Sequence, residues 1–197
     1  ILASRPDPAT GKPDPTKQQA FAQRHPEVLN FMAWAQSAPW STSYASTAYN
    51  GVHAFRFSNE AGESRWVRWS FVPQAPFEAM EAEQRQAAEA SYLADELATR
   101  LARGPVRWTL SVQLAEDGDP IENPSQPWPA ERTRVEAGTL VLERATAEAD
   151  GDCRDINFDP TILPAGIAPS RDPVLAARAA AYSVSFNRRQ REVARQE

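Results

Sequence analysis

The sequence predicts an α+β fold built on an antiparallel sheet. Three observations carry that reading. Residues 50–73 hold two runs of alternating apolar side chains separated by NEAGES, the pattern of a hairpin. Residues 106–114, VRWTLSVQL, alternate without interruption, as a strand buried on one face does. The helical stretches at 77–103 and 172–187 do not repeat with strands in the strand–helix–strand rhythm of a parallel sheet.

Residues 4–16 (SRPDPATGKPDPT) carry four prolines and one glycine, which block helix and favour an extended loop. Residues 17–37 read as helix with a break at His25-Pro26, and Phe21, Val28, Leu29, Met32 and Ala33 share an apolar face. In GVHAFRFS, His53, Phe55 and Phe57 point one way, and Val52, Ala54 and Arg56 the other. In RWVRWSFV, Val67, Trp69 and Phe71 alternate with Arg68 and Ser70, and Pro73 ends the strand. Residues 77–103 are rich in helix formers and repeat Leu93, Leu97 and Leu101 every fourth position; Gly104 suits the C-cap and Pro105 forbids continuation.

In the strand at 106–114, Val106, Trp108, Leu110, Val112 and Leu114 face one side, and Arg107, Thr109, Ser111 and Gln113 the other. A proline-rich loop follows at 117–130, then a strand, GTLVLER, at 138–144, then an irregular stretch at 155–170. The helix at 172–187 starts with Asp172 as N-cap and Pro173 at the first helical position.

Composition narrows the function. The chain has 197 residues, the size of one ordinary domain. Its 26 acidic and 21 basic residues give a net charge of −5, which argues against a nucleic-acid partner, since a phosphate backbone needs a basic patch. No apolar run approaches the length of a membrane span. The single cysteine, Cys153, excludes an internal disulfide, and with only two histidines it argues against a structural zinc site. The glycines stand too far apart for a phosphate-cradling loop. The chain opens on Ile1 and runs at once into loop-like sequence, so it reads as the C-terminal part of a longer protein with no export signal in view. Cytoplasm and periplasm both stay open as its compartment.

Few residues stand out as chemistry. His25 precedes a proline in a polar stretch and reads as a solvated helix end. His53, beside Phe55 and Phe57, reads as buried; it is either a satisfied core histidine or part of a site. No serine lies in a nucleophile elbow. The acidic helix, with Glu81 four residues before Arg85, reads as a solvated face. Arg178 and Tyr182 stand four apart on one helix face, near Leu175. A guanidinium beside a phenol favours the phenolate by its charge and donors. A phenolate is a hard ligand suited to ferric iron. Taken alone, such a pair is a weak signal and is most simply a packing contact.

Residues 156–182, INFDPTILPAGIAPSRDPVLAARAAAY, resemble the stretch that leads to the proximal tyrosine of haem catalases. Phe158, Asp159, Pro160, Pro164, Gly166, Ile167, Pro169, Ser170, Asp172, Leu175, Arg178 and Tyr182 match its pattern in register. YNGVHAFRFSN (49–59) resembles the family's N-G-x-x-H-T-F strand, and LARGPVRWTLSVQ, PWP and VEAGTLVLER resemble later segments. The early SRPDPATGKPDP and the short C-terminal end are most similar to the small, catalase-related haem peroxidases.

The resemblance implies the later part of a catalase-like antiparallel eight-stranded β-barrel with added helices. It implies a loop and helix over 1–48, barrel strands and a crossing helix over 49–148, and an irregular stretch with the haem-ligand helix over 149–197. It implies a haem-dependent peroxidase or catalase that reduces hydrogen peroxide or organic peroxides, with an electron donor as second partner; a homo-oligomer is allowed. Tyr182 would be the axial iron ligand, paired with Arg178. His53 and Asp172 would complete a polar relay with Arg178, Arg189 would approach a haem propionate, and Phe158 and Pro160 would line the pocket. After the tyrosine the family's P-D-T is replaced by Ser183-Val184-Ser185, which points to the peroxidase-like branch. Neither His25 nor His53 fits the family's distal motif, so the chain would hold the proximal half of the site. Half a barrel would expose strand edges and apolar interior, and alone would be poorly stable. The competing readings are a non-catalytic barrel that binds haem or another small ligand, and an inactive remnant.

Overall fold

The computed structural model describes residues 5–147 and 151–194. It divides into two compact units, 1–40 and 41–197.

In the first unit, Pro6 bridges Pro13 across a turn whose Asp7 side chain accepts from the Ala9 amide. Helix α1 (Pro15–Arg24) starts two residues before the expected position, because Asp14 caps it by accepting from Thr16 N at 2.9 Å and Pro15 fits the first turn. It stops at His25, and helix α2 (Val28–Ser37) begins after Pro26. The expected break is therefore a separation into two helices. His25 is exposed and pairs with Glu27 at 3.0 Å.

The second unit is built on a six-stranded antiparallel sheet. Its strands are β1 (Tyr49–Asn50), β2 (Phe55–Ser58), β3 (Ser64–Pro73), β4 (Val106–Leu114), β5 (Arg134–Leu142) and β6 (Ile167–Pro169). The order is β5-β4-β3-β2-β6, and β1 also pairs with β3. β4 spans the expected residues, because its alternation is unbroken and Gly104-Pro105 separates it from the helix. β5 begins four residues earlier and ends two earlier than the sequence suggested, and a one-residue bulge interrupts its pairing beside Leu110 and Ser111. β6 lies inside the stretch expected to be irregular; three residues pair with β2, Phe57 opposite Ile167.

The expected hairpin forms, but its first strand is broken. Asn50 pairs with Ser70 and Phe55 pairs with Val67. The four residues 51–54 thus oppose only Arg68 and Trp69, and the chain bulges out of the ladder. His53 therefore does not share a strand face with Phe55 and Phe57. Gly51 permits the departure: a Cβ there would lie 3.1 Å from the Trp69 ring and from the Trp69 carbonyl oxygen.

The long helix expected over 77–103 is two helices, α3 (Ala82–Ala87) and α4 (Tyr92–Leu101). Glu81 and Gln84 form a capping box that starts α3 late. α4 is held by long-range polar contacts. Tyr92 Oη donates to the Ser41 carbonyl, and Ser43 Oγ donates to Glu96. Leu93, Leu97 and Leu101 are only half-buried.

The last helix, α5, spans Pro173–Val193, six residues beyond the expected end. Asp172 caps it, and its first turn places Leu175, 1% exposed, against Phe55, Val67 and Val112. Leu175→Ala should cost about 2–5 kcal/mol, the range for a buried leucine that leaves a cavity. Urea unfolding of the variant chain measures it, and a loss under 1 kcal/mol would mean that this contact is not part of the core.

The polar sheet face is covered at Arg68 and Gln113. Arg68 is 8% exposed and lies under the 117–130 loop. Its guanidinium donates to the carbonyls of Gln126, Pro120 and Asn123 and stacks 4.5 Å from the Trp128 ring centroid. Gln113, opposite Arg68, donates to Pro129 O. The loop is pinned by Arg132, which donates to Asp119 through Nε at 2.9 Å and Nη2 at 3.0 Å. Those bonds, with that from the Glu116 amide, hold the Asp119 carboxyl below the usual carboxylate range. Its folded pKa thus lies below the unfolded value of about 3.9. The stabilisation is present above that value and is lost as pH falls through the folded one. Unfolding midpoints of the native chain and Asp119→Asn should therefore converge on acidification below pH ~4; a gap that stays constant would sink the assignment.

Candidate functional site

The sequence-predicted residues fall into three groups. The first joins His53 to Asp172. The bulge at 51–54 meets the segment before α5, where Ser170 N donates to the Ala54 carbonyl. This brings His53 Nδ1 to 2.6 Å from Asp172 Oδ2, across 119 residues of sequence. The two side chains are 5% and 1% exposed. A carboxylate accepts, so Nδ1–H is the donor and Nε2 is the second ring nitrogen. The other carboxylate oxygen accepts from Val174 N at 2.8 Å and Leu175 N at 3.4 Å. One carboxylate therefore caps the helix and orients the imidazole. Asp172 also acts at a distance on Arg68: burial lowers the pKa of that guanidinium, and the charges of Asp172 and Asp119 oppose the effect.

The second group is Arg178 and Tyr182, both half-buried on α5. Arg178 Nη2 donates to Tyr182 Oη at 2.9 Å, and its Cζ stands 5.3 Å from the ring centroid. The four-residue spacing alone accounts for their meeting. Among the described residues, no hydrogen bond links this pair to His53 or Asp172. Among the described residues, the expected relay is thus two separate pairs, His53–Asp172 at the start of α5 and Arg178–Tyr182 on the helix, rather than one continuous chain of hydrogen bonds.

The third group is Arg189 and Phe158. They line a cleft of about 540 Å³ with Leu142, Arg144, Cys153 and Arg154. Arg189 donates to Arg154 O, Ile156 O and Ser185 Oγ, which ties α5 to the segment before Phe158. Phe158 is 50% exposed, and Pro160 is half-buried.

Two residues outside the expected set support these groups. Ser170 is buried, and its Oγ accepts from Asp172 N. Ser185 accepts from Arg189. Ser170 stands in the matched motif two residues before the cap, and Ser185 stands one helical turn before Arg189, so spacing was the available signal.

Chemically, Tyr182 offers a phenolic oxygen that already receives one guanidinium donor. Such an oxygen is a hard donor for a trivalent metal ion. Val174, one turn before Arg178 on the same helix stripe, is uncovered, as are Ile156, Phe158 and Ile162. Among the described residues no group of three or more His, Cys, Asp or Glu side chains could hold a metal ion, and no helix is long and apolar enough to cross a membrane.

A family model described as Catalase matches residues 1–194. A catalase-related peroxidase of Synechococcus elongatus is 43% identical over 191 residues, covering 97% of this chain and 56% of that protein. One of Mycolicibacterium paratuberculosis is 35% identical over 190 residues, covering 96% of this chain and 59% of that protein. The chain thus spans somewhat more than half the length of these relatives. Solved structures of a bacterial and a fungal catalase each superpose with a TM-score of 0.77, at 20% and 19% identity. They cover 96% and 93% of this chain, and the chain covers 39% of each. The architecture is therefore the α+β antiparallel arrangement of part of a catalase-like barrel.

Proposed function

The chain belongs to the catalase family, and from that membership we propose that it supplies the tyrosine-ligand side of a haem site at which peroxide is reduced. The observation that supports this reading is the 2.9 Å bond from Arg178 to the Tyr182 oxygen. The residues present fit haem. The phenol has a cationic donor at its oxygen, and uncovered apolar side chains on α5 and over 156–162 suit a flat apolar ring.

Bound haem supplies a ferric centre that takes an anionic oxygen ligand and exchanges electrons with peroxide. Tyr182 Oη would be that ligand. Arg178 donates to the same oxygen and would offset the negative charge of the bound ligand. Asp172 fixes the start of α5, and with it the direction in which Arg178 and Tyr182 project. His53, held by Asp172, keeps a polar group at that end of the helix and out of water. Arg189, positioned by its three acceptors, would meet an anionic substituent of the cofactor from the cleft. Phe158 would lie beside it in the cleft, followed by Pro160. Peroxide and an organic electron donor are the substrates.

Titration of the chain with haemin, followed by absorbance, tests the reading. Saturation at one haem per chain, with the charge-transfer spectrum of a ferric tyrosinate, is expected. A spectrum that stays that of free haemin throughout would overturn it.

A further inference from the structure

A second site is indicated at the opposite end of β4 from the loop that covers Arg68. Arg100, Arg103 and Arg107 line one cleft of about 340 Å³, together with Gln74 and the backbone at Gly104-Pro105-Val106. Three elements build it. Arg100 belongs to α4, Arg103 to the helix exit, Arg107 to β4, and Gln74 follows the end of β3. Hydrogen bonds fix their mutual position: Gln74 N donates to Arg107 O at 3.0 Å, and Gly104 N donates to Leu101 O.

The charges are not balanced. Arg100 is neutralised by Glu96 at 2.7 Å and by Glu78 at 3.8 Å. Among the described residues, neither Arg103 nor Arg107 forms an ion pair. Arg103 and Arg107, both exposed and without an ion pair among the described residues, thus line one concavity in a chain whose net charge is −5. Cations near the end of a helix relieve its dipole, which accounts for Arg100. It does not account for Arg107, which stands on a strand. Guanidinium groups bind tetrahedral oxyanions through paired N–H donors, and the cleft is large enough for a small molecule that carries one.

We propose that this cleft binds a phosphate group of a small phosphorylated molecule, held by Arg103 and Arg107. The site stands apart from Tyr182 and does not depend on haem. Titration calorimetry of the full chain with inorganic phosphate, at low ionic strength in chloride buffer, reads it. One saturable site is expected, with affinity at least tenfold weaker in Arg103→Ala/Arg107→Ala. The charge-matched control Arg56→Ala/Arg134→Ala, which removes exposed arginines from β2 and β5, should bind like the native chain. The proposal is overturned by absence of saturable binding to the native chain, by undiminished binding in the first variant, or by equal losses in both.

Discussion

Haemin added to Tyr182→Phe should keep the spectrum of the unligated cofactor, while the native chain takes on that of a ferric tyrosinate. The change removes one oxygen and leaves the ring, so packing along α5 is kept. Loss of groups that merely orient a metal ligand lowers metal affinity about 10–100-fold. Loss of the ligand itself should cost at least the upper end of that range, read as the haemin concentration at half-saturation. Arg178 is the internal comparison. Arg178→Leu removes the donor at 2.9 Å and keeps the phenol, so binding should weaken less and the charge-transfer band should move. If Tyr182→Phe binds with native affinity and spectrum, another group holds the iron and the assignment fails.

Asp172→Ala should be among the most destabilising single changes in the chain. It removes an N-cap that serves two amides, worth about 1 kcal/mol. It also leaves His53 Nδ1 buried without its partner, a further ~1–3 kcal/mol. Together these give a loss of about 2–4 kcal/mol in urea unfolding. Asp172→Asn retains a capping oxygen and should recover roughly half of it. A loss below ~0.5 kcal/mol for the alanine variant would mean that the 2.6 Å contact adds nothing to folding.

What was legible in the sequence was local. β4 could be read because nine residues alternate without a fault and a Gly-Pro pair stops what precedes them. The start of α5 could be read because Asp172 and Pro173 are the residues that a helix start requires. The Arg178–Tyr182 contact follows from a four-residue spacing on one helix. What could not be read is non-local. Ala88, Glu89 and Ala90 are good helix formers, yet the helix breaks there, because Tyr92 and Glu96 are engaged with Ser41 and Ser43 some fifty residues away in sequence. Arg68 looks like a solvent-facing strand residue until the 117–130 loop closes over it. β6 is too short, and too rich in proline, to announce itself. No periodicity connects His53 to Asp172, and only the family resemblance put them in one site.

The strand at 49–58 carries two residues more than its partner can accommodate, and the surplus is what delivers an imidazole to a carboxylate. Removing Val52 and His53 together would let a continuous ladder form against Arg68 and Trp69, with its hydrogen bonds regained and nothing left to face Asp172. At this position the gain of a continuous ladder is set against the loss of a buried contact, because the Asp172 carboxylate would be left without its imidazole.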